Sequence, residues 1–259
     1  MNSLLTLIPL LALGCAHTTA GQQRPDPVPP PAWSTTQGRH QARLDMAQTL
    51  VDMGRMQEAI AVLTEARAES GPELELDILQ ARIYLRMGMA SEAAAILGSW
   101  TARDPRDASY HQALGLVRFD QQHTDQAEAS FVRALELEPN DFDNNNNLGF
   151  LMLVTERPEQ ALPLLRRALE LRPGDPRAYG NLAFTLAALG QDNDALEVFR
   201  ALHPPSVAFA NMGLACERRG APDQALAWYR RALELEPALP AALEAADRLA
   251  SSASGDPQP

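Results

Sequence analysis

Small and bulky apolar positions recur along this chain with a fixed period. Alanine returns after 34 residues four times in succession and then after 30. These alanines are Ala59, Ala93, Ala127, Ala161, Ala195 and Ala225. Four residues after each of them stands a bulky apolar or aromatic residue, namely Leu63, Leu97, Phe131, Leu165, Phe199 and Tyr229. Twelve residues before each stands glycine or alanine, namely Ala47, Ala81, Gly115, Gly149, Ala183 and Gly213. Such a period predicts an array of stacked supersecondary units.

Each period contains two segments with helical spacing. In the first segment the small and apolar residues stand at i, i+3, i+4 and i+7, which is one face of a helix, and the second segment repeats such a face. A glycine separates the two segments in four units, at Gly54, Gly88, Gly190 and Gly220, and it can end the first helix in a left-handed conformation. One helical hairpin cannot bury its own apolar face, so the pattern predicts that the units stack on one another.

The unit resembles the tetratricopeptide repeat, most clearly in LGLVRFDQQHTDQAEASFVRALELEP and MGLACERRGAPDQALAWYRRALELEP. The resemblance implies an all-α, right-handed superhelical solenoid of about six helix-turn-helix repeats with a C-terminal capping helix. The array is expected at 40–252, with units at 40–73, 74–107, 108–141, 142–175, 176–205 and 206–239 and the cap at 240–252. Unit five lacks four residues, about one helical turn, and its second helix is expected to be shorter.

The N-terminus predicts export. Residues 3–13 are an apolar run that is too short to span a bilayer, and it suits the core of a secretory signal peptide at 1–14. The run ends in LALGC, which resembles a bacterial lipobox and implies lipidation of Cys15. A plain signal peptide, or a start codon misplaced within one, is the alternative. By resemblance to Gram-negative lipoproteins, Ala16 implies sorting to the outer membrane, with the array on its periplasmic face.

The ends of the chain differ in composition from the array. Residues 15–39 are rich in proline and lack helical or strand periodicity, which is typical of a semi-rigid tether. The stretch PVPPPAW within it is also compatible with a ligand for a proline-reading groove. The last residues, 253–259, are expected to be a disordered tail.

Composition and motifs argue against catalysis, metal binding and nucleic-acid binding. The net charge of −11 disfavours a nucleic-acid partner. No GxSxG, Walker loop, CxxC or HExxH motif occurs, so neither an enzyme nor a cofactor is predicted. The acidic stretch NDFDNNNN lacks the glycine and the final glutamate of a calcium loop and is predicted to be a turn that starts a helix. Cys216 falls on a packed face and is expected to be a buried thiol.

The resemblance also implies a binding surface, because in this family the first helices line a concave groove. The matching positions hold an apolar stripe and a row of amides: Leu116, Phe119, Phe150, Leu153 and Phe184, with Asn147, Asn181 and Asn211. The stripe could hold an amphipathic helix, and the amides could bond an extended peptide. The alternative is that curvature buries part of the stripe. The asparagine required by the carboxylate clamp of chaperone-binding repeats is missing, so that function is disfavoured.

A lipoprotein made of a short tether and six such repeats resembles outer-membrane assembly factors of bacterial pilus and secretion systems. Examples are the tight-adherence (Flp) pilus lipoprotein and the type IV pilus pilotin. The implied function is a non-enzymatic, membrane-anchored scaffold whose protein partner is a secretin or a pilus component. The alternative is a periplasmic scaffold for cell-wall enzymes or envelope assembly.

Overall fold

The structure, a computed structural model, describes residues 35–103 and 105–254. The predicted signal peptide, Cys15 and most of the predicted tether lie outside these residues, as does the chain end at 255–259. The chain separates into two compact parts, residues 1–42 and 43–259. The described portion of the part at 1–42 is the start of a helix, which begins at Thr36. Thr35 caps this start, because its Oγ1 accepts a hydrogen bond from Gly38 N at 2.9 Å.

Helices follow one another in pairs, and no strand occurs in the described residues. The first helices of the six pairs are α1 (Thr36–Asp52), α3 (Leu74–Arg86), α5 (Ala108–Asp120), α7 (Phe142–Val154), α9 (Pro176–Ala188) and α11 (Pro205–Arg218). The second helices are α2 (Met56–Ser70), α4 (Ala90–Thr101), α6 (Thr124–Leu137), α8 (Pro158–Leu171), α10 (Asp192–Leu202) and α12 (Pro222–Leu235), and α13 (Pro240–Ser254) follows them. Each helix from α2 to α12 packs against the next one in the chain. The predicted all-α solenoid of six helix pairs and a capping helix is confirmed.

The periodic small residues lie where the two helices of a pair cross. All six periodic alanines are 0% exposed, and the bulky residues four positions later are at most 3% exposed. Three of the six facing small residues are glycine, at Gly115, Gly149 and Gly213. A Cβ atom added to Gly115 would lie 2.5 Å from Cε1 of Phe131, and one added to Gly213 would lie 2.6 Å from Cε1 of Tyr229. At these two crossings glycine leaves the room that the aromatic ring occupies.

The turn inside each pair has the same backbone conformation in all six units. The residue that ends the first helix has a positive φ: Gly54, Gly88, Gly190 and Gly220 at 73° to 76°, Gln122 at 62° and Glu156 at 59°. The next backbone N–H in each turn donates to a carbonyl five residues earlier, as in Arg55 N to Leu50 O at 2.8 Å and Arg157 N to Met152 O at 2.8 Å. Two units thus adopt the left-handed cap without glycine, and this conformation strains other residues.

Replacing Gln122 with glycine is therefore expected to raise the free energy of unfolding by about 0.5–1 kcal/mol. Relief of the left-handed strain, about 1–2 kcal/mol, exceeds the extra chain entropy that glycine has when unfolded. The matched reverse change, Gly190→Gln, is expected to lower the free energy of unfolding. Urea denaturation measures both variants, and a Gln122→Gly protein less stable than the parent would contradict the strain argument.

Aromatic side chains pack next to the shortened unit five. Helix α10 has 11 residues, against 14 in both α8 and α12, as its sequence predicts. Phe209 of α11 stacks on Trp228 of α12 with ring centroids 5.6 Å apart. Trp228 also packs against the core shared by α9, α10 and α11. The stack itself lies within unit six, and Trp228 extends the contact to the core shared with unit five.

The capping helix completes the core of unit six. Its small residues Ala242, Ala245 and Ala246 pack with Cys216 and Tyr229. Glu217 accepts hydrogen bonds from the Tyr229 hydroxyl at 2.7 Å and from Arg248 of α13, whose Nη1 lies 2.8 Å from Glu217 Oε1. Burial alone would raise the pKa of Glu217, but these two donors more than offset it and lower the pKa. An ionised carboxylate thus connects α13 to both helices of unit six.

Candidate partner-binding groove

The first helices of successive units lie side by side, with contacts between α3 and α5, between α7 and α9 and between α9 and α11. They present the eight side chains predicted to line a groove. We call this surface the groove face and define it by Leu116, Phe119, Asn147, Phe150, Leu153, Asn181, Phe184 and Asn211. Each of the eight is half-buried or exposed. The structure therefore leaves all of them partly accessible.

The centre of the groove face is an aromatic pair that crosses a unit boundary. The rings of Phe119 in α5 and Phe150 in α7 meet edge to face, with centroids 5.6 Å apart. Phe119 also packs against the core beneath α5 and α7, whereas Phe150 is 36% exposed. The core therefore holds the Phe119 ring in place, and the Phe150 ring provides accessible aromatic surface. An apolar side chain of a partner can pack against this pair.

Phe184 belongs more to the core than to the surface. Its ring meets the buried ring of Phe199 edge to face at 5.0 Å, and the guanidinium of Arg218 lies 5.2 Å from its centroid. Phe184 is half-buried and packs against the core of α9, α10 and α11. Only part of its ring surface is available for a partner.

The asparagines of α7 differ in burial, because Asn144, Asn145 and Asn146 are buried whereas Asn147 is half-buried. Asn144 and Asn145 are buried and satisfy backbone carbonyls, Asn144 that of Ala134 and Asn145 those of Pro139 and Asp141. Asn181 donates to Asn146 Oδ1 at 3.0 Å.

Asn147 and Asn211 differ from these amides. They are half-buried, and their side chains have no hydrogen-bond partner in the described part of the chain. Two of the three predicted groove amides can thus bond a partner without breaking an existing bond.

Two exposed apolar side chains extend the groove face beyond the residues predicted for it. Val154 is 40% exposed and Leu214 is 37% exposed. Val154 follows Phe150 by one helical turn and therefore shares its face, a signal that the sequence already contains. Leu214 occupies in α11 the position that Phe150 occupies in α7, 64 residues earlier, which is two periods. The accessible apolar surface therefore covers units three to six.

A chain of polar side chains connects units two, three and four beside this surface. Arg82 of α3 donates to Gln112 Oε1 at 2.6 Å, and Gln112 donates to Asn144 Oδ1 at 2.9 Å. Burial lowers the pKa of the Arg82 guanidinium, and the charges of Asp143, Asp107 and Asp141 oppose this shift. This network was not predicted, because it connects different positions of three successive repeats.

A hollow of about 360 Å³ opens between α1, α3 and the start of α5. We call it the acidic hollow. It is lined by the apolar residues Leu44, Ile78 and Leu79, the carboxylates Asp45, Glu75 and Asp107, and the polar or basic residues Gln48, Arg82 and Ser109. Ile78 is 5% exposed and Leu44 and Leu79 are half-buried, whereas Asp45 and Glu75 are exposed. The apolar side chains thus form its floor, and these two carboxylates stand at its rim.

The described residues contain no group of three or more His, Cys, Asp or Glu side chains that could hold a metal ion. Asp141, in the acidic stretch weighed as a calcium loop, caps α7 by accepting from Asn144 N at 2.8 Å. This is the predicted helix start. Cys216 is 1% exposed, as predicted, and burial raises the pKa of its thiol.

Sequence models of one family match almost the whole array. Models described as tetratricopeptide repeat match residues 50–117 and 155–205, 206–239 and 108–141. The chain belongs to the tetratricopeptide repeat family. Within 50–239, the matched ranges omit 142–154, which is helix α7. Proteins of this family bind peptides and proteins and are typically scaffolds rather than enzymes.

Solved tetratricopeptide repeat structures resemble this chain along most of their length. YrrB, a TPR protein with an unusual peptide-binding site, is 25% identical with a TM-score of 0.55, over 71% of this chain and 97% of YrrB. PilW, a widely conserved type IV pilus biogenesis factor, is 17% identical with a TM-score of 0.64, over 79% and 96%. PilF of Pseudomonas aeruginosa is 17% identical with a TM-score of 0.61, over 79% and 95%. PilW and PilF at this identity support the fold alone.

No curated protein matches the chain. None of the described helices combines the length and the apolar character that crossing a bilayer requires.

Proposed function

We propose that this tetratricopeptide repeat protein is a non-enzymatic scaffold that binds a segment of a partner protein on the groove face. The observation that carries the proposal is the Phe119–Phe150 pair, which presents accessible aromatic surface across a unit boundary. The amides of Asn147 and Asn211 support it, because each is half-buried with free hydrogen-bonding capacity among the described residues. Accessible aromatic side chains beside polar groups are typical of binding hot spots.

The partner class in this proposal is a secretin or another component of a pilus or secretion system. This part rests on the sequence resemblance to pilus assembly lipoproteins, and the shared fold with PilF and PilW is compatible with it. The test is affinity capture from solubilised envelopes with the parent and a groove-face variant. Recovery of a secretin or pilus subunit by the parent alone supports the proposal, whereas recovery of a peptidoglycan synthase favours the cell-wall scaffold.

Phe150→Ser is expected to weaken partner binding by about 30-fold, which corresponds to a loss of ~2 kcal/mol at a hot spot. Phe150 is 36% exposed, so the melting temperature should change little. Leu235→Ser is the matched control, because Leu235 is 57% exposed on the second helix α12. Titration calorimetry with the captured partner and thermal melting measure the two effects.

Phe184→Ser, by contrast, should lower the melting temperature through the loss of its contact with Phe199. A folded Phe150→Ser protein with parental affinity would exclude the groove face as the binding surface.

The proposal includes anchoring of the array at the outer membrane through lipid on Cys15, which lies outside the described residues. Several acyl chains on one residue exceed what stable anchoring requires. Cys15→Ser is expected to abolish labelling with a fatty-acid analogue and to move the protein from the outer-membrane fraction to the soluble one. Cys216→Ser is the control and should change neither result, because Cys216 is buried in the array. Parental fractionation without detectable lipid would refute the anchor.

A further inference from the structure

We infer that the groove face binds an extended partner segment whose two ends carry opposite charges, a basic residue at Asp120 and an acidic residue at Arg218. This inference rests on the proposed function and adds the charge pattern and the length of the partner segment. The residues between the two charges are apolar and pack on the groove face.

One row of equivalent positions, near the ends of the first helices, carries the observations. Each position lies one helical turn after Leu116, Phe150, Phe184 or Leu214 and therefore shares its face. These positions hold Asp120, Val154, Ala188 and Arg218. The first, second and fourth are exposed, and Ala188 is half-buried. The row thus begins with a carboxylate at α5, is apolar at α7 and α9 and ends with a guanidinium at α11.

Arg218 presents a positive charge that no carboxylate of the described residues neutralises. Its guanidinium lies 5.2 Å from the centroid of the groove-face ring of Phe184. It makes no hydrogen bond or ion pair within the described part of the chain. The adjacent carboxylate of Glu217 is instead bound by Tyr229 and Arg248. The donors of Arg218 therefore remain available to a partner carboxylate beside the exposed side chain of Leu214.

Asp120 presents the opposite charge at the other end of the row. It is the last residue of α5, next to Phe119, and it is exposed. Its carboxylate has no hydrogen bond or ion pair among the described residues. The nearby Arg118 donates instead to Ser130 and to the carbonyl of Gln126. A basic residue of the partner can therefore pair with Asp120 without displacing an existing contact.

The free amides of Asn147 and Asn211 favour an extended segment, because an extended backbone has N–H and C=O groups to bond and a helix satisfies its own. From α5 to α11 the first helices make three steps of about 9 Å, or about 27 Å in all. About eight residues of extended chain cover this distance. A helix of nine residues is only about 14 Å long and cannot reach both charges.

The test uses synthetic peptides of about nine residues, a length taken from this span, with blocked ends and the same leucine and phenylalanine positions. Dipolar peptides carry lysine at one end and glutamate at the other, in both orders, and a neutral peptide carries glutamine at both. A dipolar peptide is expected to bind the parent about tenfold more tightly than the neutral one. This advantage should shrink as salt is added.

Arg218→Gln and Asp120→Asn should each weaken the dipolar peptide about three- to fivefold. Dependence on both residues also tests the extended conformation, because a helical peptide of this length reaches only one of them. Arg86→Gln is the matched control for Arg218, since it is exposed at the equivalent position of α3, outside the groove face. Glu197→Gln, exposed on α10, is the control for Asp120.

Chemical crosslinking reports the direction of the bound peptide. The sequence contains no lysine, so a carbodiimide that joins amines to carboxylates links the peptide lysine to this protein without lysine crosslinks inside it. The linkage is expected at Asp120 in the parent. In the charge-exchanged variant, Asp120→Arg with Arg218→Asp, the net charge is unchanged and the linkage should move to position 218.

The outcomes separate this inference from the proposed function. Equal binding of the dipolar and neutral peptides, with loss of binding in Phe150→Ser, would overturn the inference and leave the groove face as the binding surface. Equal weakening by the control variants, a linkage that does not move in the charge-exchanged variant, or failure of every peptide to bind would also overturn it. Melting curves of the variants report any effect on folding.

Discussion

Truncation of Phe131 to alanine is expected to lower the free energy of unfolding by about 3–5 kcal/mol. Phe131 is 2% exposed at the crossing of α5 and α6, and its ring packs with Leu148, Leu151 and Leu165 of the next unit. Its removal leaves a cavity that two rigidly paired helices cannot close. Urea denaturation followed by circular dichroism measures the loss.

Gly115→Ala provides the control for this expectation. Its effect on the free energy of unfolding should change sign when the Phe131 ring is removed. Gly115→Ala alone should lower the free energy of unfolding by about 1–3 kcal/mol, since its Cβ would lie 2.5 Å from the ring. In the Phe131→Ala background the same change should raise it by up to about 1 kcal/mol, because alanine favours the helix and the clash is gone. Additive effects in the double variant would contradict the contact between Gly115 and Phe131.

Removal of the capping helix α13, by ending the chain after Pro237, is expected to lower the stability of unit six by about 3 kcal/mol or more. It exposes Cys216, Tyr229 and Ala232, which α13 buries with its own alanines, and it takes Arg248 away from Glu217. Because stability in such arrays is the sum of local terms, units one to four should change little. Hydrogen exchange resolved along the chain measures both effects.

A chain that ends after Ser254 is the matched control, because it retains α13 and removes only residues 255–259. It should exchange like the full chain. If the chain that ends after Pro237 instead loses hydrogen-exchange protection equally in α3 to α6 and in α11 to α12, the whole array unfolds together, contrary to this expectation.

The period of small and bulky residues was sufficient to predict the helix pairs, the cap and the shortened α10. It predicted less about the turns, because Gln122 and Glu156 adopt the left-handed conformation that the sequence marks with glycine elsewhere. In these two units packing imposes the turn against the local preference. The position of a residue within the repeat, rather than its identity, determines where the first helix ends.

The sequence predicted which residues lie on the groove face. It did not predict which of them are accessible and which pack into the core. Sequence register placed Phe150 and Phe184 at equivalent positions, yet Phe184 packs edge to face against Phe199 of α10, whereas Phe150, whose unit has Leu165 at the position of Phe199, is 36% exposed. The bond from Gln112 to Asn144 and the acidic hollow depend on contacts between neighbouring units. The period describes equivalent positions within single units, so it does not predict contacts between different positions of neighbouring units.

The matching of Gly115 to Phe131 also bears on how such an array can be lengthened or rearranged. The two residues belong to one unit, so a copy of the whole of 108–141 carries both partners of the contact with it. A crossover inside the turn between α5 and α6 would separate them, and joining α6 to α1, α3 or α9 would place Phe131 opposite an alanine instead of a glycine. Duplication or exchange of segments is therefore expected to be tolerated better at the junctions between units than within them.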